Sequence, residues 1–196
     1  MVPVKKALTA IFSSFFAFSA CAADSFAEED AAGDGWYLGA AGGMMLPGGG
    51  NSLRRAAEAG VRGGRYITDS LALEMEGACA PSAVSGHGGN TAISGVALQG
   101  VLHFTGWREF DMLFGCERFD PFLTLGAGAR LAGRNVLAED SHRTAFGPVF
   151  GLGAFYHLTD SVSLRADAKA QLCCDSPCGM LYGVSVGLQY SFGGRW

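Results

Sequence analysis

From Val162 to Leu172 the chain alternates without a break. Val162, Leu164, Ala166, Ala168, Ala170 and Leu172 fall on one parity, and Ser163, Arg165, Asp167, Lys169 and Gln171 on the other. Side chains of a strand point to opposite faces in turn, so this period predicts a strand with one apolar and one charged face. Tyr182 to Phe192 repeats the pattern: Tyr182, Val184, Val186, Leu188, Tyr190 and Phe192 oppose Gly183, Ser185, Gly187, Gln189 and Ser191. Leu71 to Gly77 sets Leu71, Leu73 and Met75 against Ala72, Glu74 and Glu76. In a fourth segment, Val96, Leu98, Leu102 and Phe104 oppose Gln99 and His103.

Four weaker segments fill the gaps, at Trp36–Met45, Ala56–Tyr66, Phe122–Gly133 and Phe146–Leu158. The expected fold is therefore all-β, an eight-stranded antiparallel up-and-down transmembrane β-barrel, because an even antiparallel set closes without leaving edges. The connectors support it. Thr68-Asp69-Ser70 and Thr159-Asp160-Ser161 form two short turns of the same sequence, in which Asp and Ser are expected to bond the nearby backbone. Longer polar connectors, Leu46–Leu53, Pro81–Asn90, Val136–Ala145 and Cys173–Cys178, alternate with them. Tight turns at one end and long loops at the other are the barrel asymmetry. Thr105 to Pro121 breaks the rule, being long for the turn end.

Period two does not say which face meets lipid. Three features favour a membrane wall with the apolar rows outward. Aromatic residues collect at strand ends (Trp36, Phe104, Phe122, Tyr156, Tyr190, Phe192), where interface girdles lie. The polar face carries both signs, Glu58, Glu74, Glu76 and Asp167 against Arg62, Arg130, Arg165 and Lys169, a set suited to mutual pairing inside a narrow lumen. Glycines recur on that same face, among them Gly39, Gly43, Gly126, Gly151 and Gly153, leaving room for the charged chains. The opposing interpretation is an exported soluble barrel whose apolar rows face a core.

The N-terminus narrows the compartment. Lys5 and Lys6 precede an apolar run, Ala7 to Phe18, and then Ala20-Cys21-Ala22, which together describe a secretory signal peptide cut after Ala22. The expected organisation is a signal peptide over 1–22, a short acidic segment over 23–33, and a barrel over 34–196, placed in the bacterial outer membrane. A lipobox reading with Cys21 acylated is the alternative at this site. Composition agrees with export to a membrane: 16% charged residues and 30 glycines are too few charges and too much glycine for a soluble enzyme. No later stretch has the 18 or more consecutive apolar residues of a spanning helix.

Candidate chemistry is sparse. Cys79, Cys116, Cys173, Cys174 and Cys178 follow the cleavage site, an odd number, and disulfides are expected among Cys79, Cys173, Cys174 and Cys178. No histidine stands near Cys173–Cys178 at ligand spacing, so a loop staple is preferred to zinc, and neither metal nor cofactor is expected. His142 beside Ser141, His87, His103 and His157 give no nucleophile–base signature, so no catalytic residue is expected. The loops lack basic clusters, which argues against nucleic acid.

The opening Asp34-Gly35-Trp36-Tyr37-Leu38-Gly39-Ala40 and the closing Val184-x-Val186-x-Leu188-x-Tyr190-x-Phe192 resemble the outer-membrane β-barrel superfamily that includes the OmpA transmembrane domain and the Opa-like surface proteins. The resemblance implies escort by periplasmic chaperones, contact with outer-membrane lipid, and insertion by the barrel-assembly machinery. That machinery would read a C-terminal signal at Tyr190, Phe192 or Trp196. No peptidoglycan-binding module is expected after the barrel. The expected function is a non-enzymatic surface or structural barrel acting through its loops. A small pore or conduit for apolar molecules is the alternative, and an outer-membrane lipid-modifying enzyme a second one.

Overall fold

In the computed structural model, residues 35–48, 55–83, 90–104, 118–132, 143–173 and 180–192 are described. Their backbone is β throughout: β1 (Trp36–Pro47), β2 (Ala56–Thr68), β3 (Leu71–Ala83), β4 (Asn90–His103), β5 (Phe119–Ala132), β6 (Arg143–His157), β7 (Val162–Leu172) and β8 (Met180–Phe192). Each strand pairs antiparallel with the next, and β8 closes on β1. The closing seam runs from Trp36↔Phe192 to Pro47↔Leu181. The ring satisfies the backbone groups that an open sheet would leave at its edges, a condition for any β structure in lipid.

Parity sorts the side chains as alternation requires. Leu38, Leu73, Leu98, Leu125, Leu152, Val186 and Leu188 are exposed outward, whereas Arg62, Glu74, Gln99, Arg165 and Gln171 are buried inside. On β8 the outward row from Tyr182 to Phe192 covers ten residue steps. At about 3.4 Å per step and a tilt near 40° this row is about 26 Å tall, the height of an outer-membrane apolar band.

Several strands outrun the alternation that announced them. β3 continues past Gly77 to Ala83 and β4 starts at Asn90, so both ends of the expected Pro81–Asn90 loop belong to the ladder. Leu46 and Pro47 are likewise in β1, and Arg143 to Ala145 in β6. Where the outward apolar row ends, Gly, Ser and Pro enter the strand and the pattern fades while the pairing persists. Pro81 lies two residues beyond Cys79, where the register between β2 and β3 ends, so its missing N–H interrupts no bond on that side.

The two short turns are closed by their threonines. Thr68 Oγ1 accepts from the N–H of Ser70 at 3.3 Å and of Leu71 at 3.1 Å. Thr159 Oγ1 accepts from Ser161 at 3.4 Å and Val162 at 3.0 Å. The hydroxyl placed first in the motif, which the sequence reading did not name, reaches the N–H groups two and three residues on. The Thr105–Pro121 connector is shorter than it looked, because β5 already begins at Phe119.

Candidate functional site

The inward parity places Glu58 and Arg62 on β2, Glu74 and Glu76 on β3, Arg130 on β5, and Arg165, Asp167 and Lys169 on β7. The centre of the lumen is a bidentate pair: Arg165 Nη1 and Nη2 donate to Glu74 Oε2 and Oε1 at 2.5 and 3.1 Å. Both side chains are at most 1% exposed. Glu74 also accepts from Tyr37 Oη at 2.9 Å and from Gln99 Nε2 at 2.6 Å. Four donors on one carboxylate match its lone-pair capacity, so its charge is dispersed without water.

Towards the loop end the network continues. Arg62 Nη1 donates to Asp167 Oδ2 at 2.9 Å and Nη2 to Ser185 Oγ at 3.4 Å. Lys169 bonds Glu76 and stands 3.4 Å from Asp167 Oδ1. Arg130 donates to Glu58 at 3.0 Å and to Gln171 at 3.2 Å, and Gln171 donates to the Gly128 carbonyl at 2.9 Å. All eight charged residues named from the pattern therefore meet in ion pairs across the lumen. The void left among Glu58, Glu76, Arg130, Lys169 and Gln171 is about 40 Å³. That volume admits a water or two and no larger solute.

The turn end is aromatic. Tyr37, Ala72, Val101, Phe122 and Phe155 form a buried cluster with Tyr66 packed on it. The Arg165 guanidinium lies over Phe122 at 4.5 Å and Phe155 at 5.1 Å, a cation–π contact on each. Phe122 was expected in the lipid girdle; it is 1% exposed and inside the lumen. The reason is parity: Phe122 shares a face with Thr124 and Arg130, and its neighbour Leu123 is the one that points out. Tyr37, Phe155, His103 and Asp120 are further lumen residues that the search for charges passed over. Their signal was position, since each stands on the polar parity of its strand.

Among the remaining candidates, Tyr190 and Phe192 face outward and touch edge to face, with ring centroids 5.0 Å apart. Trp196 lies outside the described residues, as do Cys116, Cys174, Cys178, His87, Ser141, His142 and the segment 1–34 with the signal peptide and Cys21. Cys79 is a free thiol, to which Ser94 Oγ donates at 3.7 Å. A Cys79–Cys173 bridge is excluded: β3 and β7 stand on opposite sides of the ring, whereas a disulfide needs Cα atoms within about 7 Å. No cluster of His, Cys, Asp and Glu that could hold a metal occurs among the described residues.

No protein-family description matches the sequence, and no curated protein does either. Solved structures match the fold. Neisserial surface protein A superposes with a TM-score of 0.61 at 14% identity, over 81% of this chain and 96% of that one. OprG of Pseudomonas aeruginosa gives 0.59 at 14% identity, over 83% and 97%. The N-terminal β-barrel domain of P. aeruginosa OprF gives 0.55 at 13% identity, over 82% and 99%. The chain thus has the fold of the small outer-membrane barrels, covering nearly the whole of each.

Proposed function

We propose that this chain is a non-enzymatic outer-membrane surface barrel whose lumen is closed and whose outer loops make its contacts. In this reading the turn end faces the periplasm, the loop end faces out, and the apolar wall meets lipid. The supporting observation is the lumen itself: ion pairs from one wall to the other, aromatic rings beneath them, and a void of about 40 Å³. A conduit for apolar molecules asks for a continuous apolar path, and the middle of this lumen is crossed by ion pairs. Ser163 does stand 2.8 Å from a nitrogen of His157, but both are buried at the turn end, away from the lipid surface a lipid-modifying enzyme addresses.

Export by the signal peptide and insertion through the Tyr190, Phe192 or Trp196 signal belong to the same proposal. Expression of the full chain in a Gram-negative host tests it. The protein is expected in the outer-membrane fraction, with a gel mobility that differs between boiled and unboiled samples. Reconstituted into planar bilayers at neutral pH, it is expected to show no large, stable conductance. Recovery as a soluble periplasmic protein would overturn the membrane assignment, and a steady large conductance would overturn the closed lumen.

A further inference from the structure

The outward rows of the barrel are almost free of charge. Along the eight strands the residues of the outward parity are apolar, glycine or uncharged polar, and Arg65 of β2 is the one exception among the described residues. The charged residues of the other strands stand on the inward parity, as do Glu58 and Arg62 of β2 itself. Arg65 shares a cross-strand row with Phe192 of β8, Trp36 of β1 and Leu73 of β3. Phe192 ends the apolar row of β8, so this cation sits at the turn-end rim of the band. Ile67 is the last outward residue of β2 beyond it.

Trp36 seats the cation. The Arg65 guanidinium lies 5.8 Å from the centre of the Trp36 ring, its partner across the β1–β2 ladder, and both residues are partly exposed. An indole settles at the boundary between hydrocarbon and headgroups, and a guanidinium resting on it loses less freedom when it binds. Its planar fork matches a phosphate with two parallel N–H···O bonds. A guanidinium carries five N–H donors, so a contact within the protein and a contact to a phosphate are compatible. Asp69, a carboxylate of the same hairpin, is exposed in the turn beyond the rim.

A cation at the edge of an uncharged apolar wall meets one class of anion in place, the headgroup of a lipid. The loop-end rim of the described strands offers no counterpart: its outward residues, among them Leu46, Leu131, Phe146 and Tyr182, carry no charge. Resting on the reading of this wall as lipid-facing, we propose that Arg65, seated on Trp36, binds the phosphate of an anionic phospholipid in the leaflet at the turn end. The barrel then holds that leaflet at one point of its circumference, on the β1–β2 side.

The full chain is folded into nanodiscs of phosphatidylcholine, with and without phosphatidylglycerol, and its thermal unfolding midpoint is compared. Phosphatidylglycerol should raise the midpoint of the native sequence by about 2–4 °C. Arg65→Gln should remove that rise while keeping the heat-modifiable band, and Arg65→Met decides the matter if the first variant fails to fold. Arg55→Gln, at an exposed position before β2 at the loop end, should leave the rise intact. Inorganic phosphate added to phosphatidylcholine discs should give no rise. An equal rise in the native chain and the Arg65 variants, no rise in the native chain, or a rise lost equally with Arg55→Gln overturns the inference. A rise with inorganic phosphate as large as that with the lipid overturns the lipid as the source of the anion. A chain that fails to enter the discs and stays soluble would instead overturn the lipid-facing wall on which the proposal rests.

Discussion

Arg165→Ala lowers the free energy of unfolding by about 3–5 kcal/mol, because it strands the fully buried Glu74 carboxylate. Both partners are at most 1% exposed, so neither salt nor solvent compensates. The truncation also removes the guanidinium from Phe122 and Phe155. Denaturant titration in lipid, read by the mobility of the unboiled band, measures the shift. Taking away both ends, as Arg165→Leu with Glu74→Leu, should recover much of the loss, since no charge is then left alone. An unchanged midpoint in the single variant would mean that the lumen is wet and the charges are hydrated.

A comparable loss is expected from the wall. A Cβ built on Gly126 would collide with the Leu98 carbonyl oxygen and would stand 2.6 and 2.7 Å from the Gln99 Cα and Cβ. Both obstacles belong to the neighbouring strand, across the Gln99↔Gly126 pair of β4 and β5, and the ladder cannot yield there without breaking. Gly126→Val is therefore expected to abolish the heat-modifiable band and leave the protein unfolded. Gly183→Ala is the matched control: its added Cβ would meet nothing within 4 Å, so the variant should fold with stability within about 0.5 kcal/mol of the parent. Equal behaviour of the two variants would refute the close-approach argument.

The wall of the barrel is written in the alternation, because an apolar outer face and a polar lumen impose opposite demands on adjacent residues. The stretch Val162–Leu172 shows this best, with an apolar residue at every even position. The ends of β3, β4 and β6 are not so written, since beyond the outward apolar band the backbone pairing continues without any demand on the side chains. The pairing of charges was also hidden. Arg62 and Asp167 are 105 residues apart in sequence, and Glu74 and Arg165 are 91 apart. Which cation crosses to which carboxylate depends on strand tilt and stagger, which composition and periodicity do not carry. Phe122 shows a third limit. An aromatic residue near a strand end suits a girdle or a plug equally well, and only strict counting of parity from Leu123 separates them.

The middle of the lumen cancels its own charge: Arg62, Arg130, Arg165 and Lys169 face Glu58, Glu74, Glu76 and Asp167. Such a paired interior casts little field beyond the strands. A molecule drawn to the protein by charge would be responding chiefly to residues outside this paired set, at the strand ends and in the connecting segments. Those segments are then free to change sign or sequence over generations without retuning the scaffold that carries them.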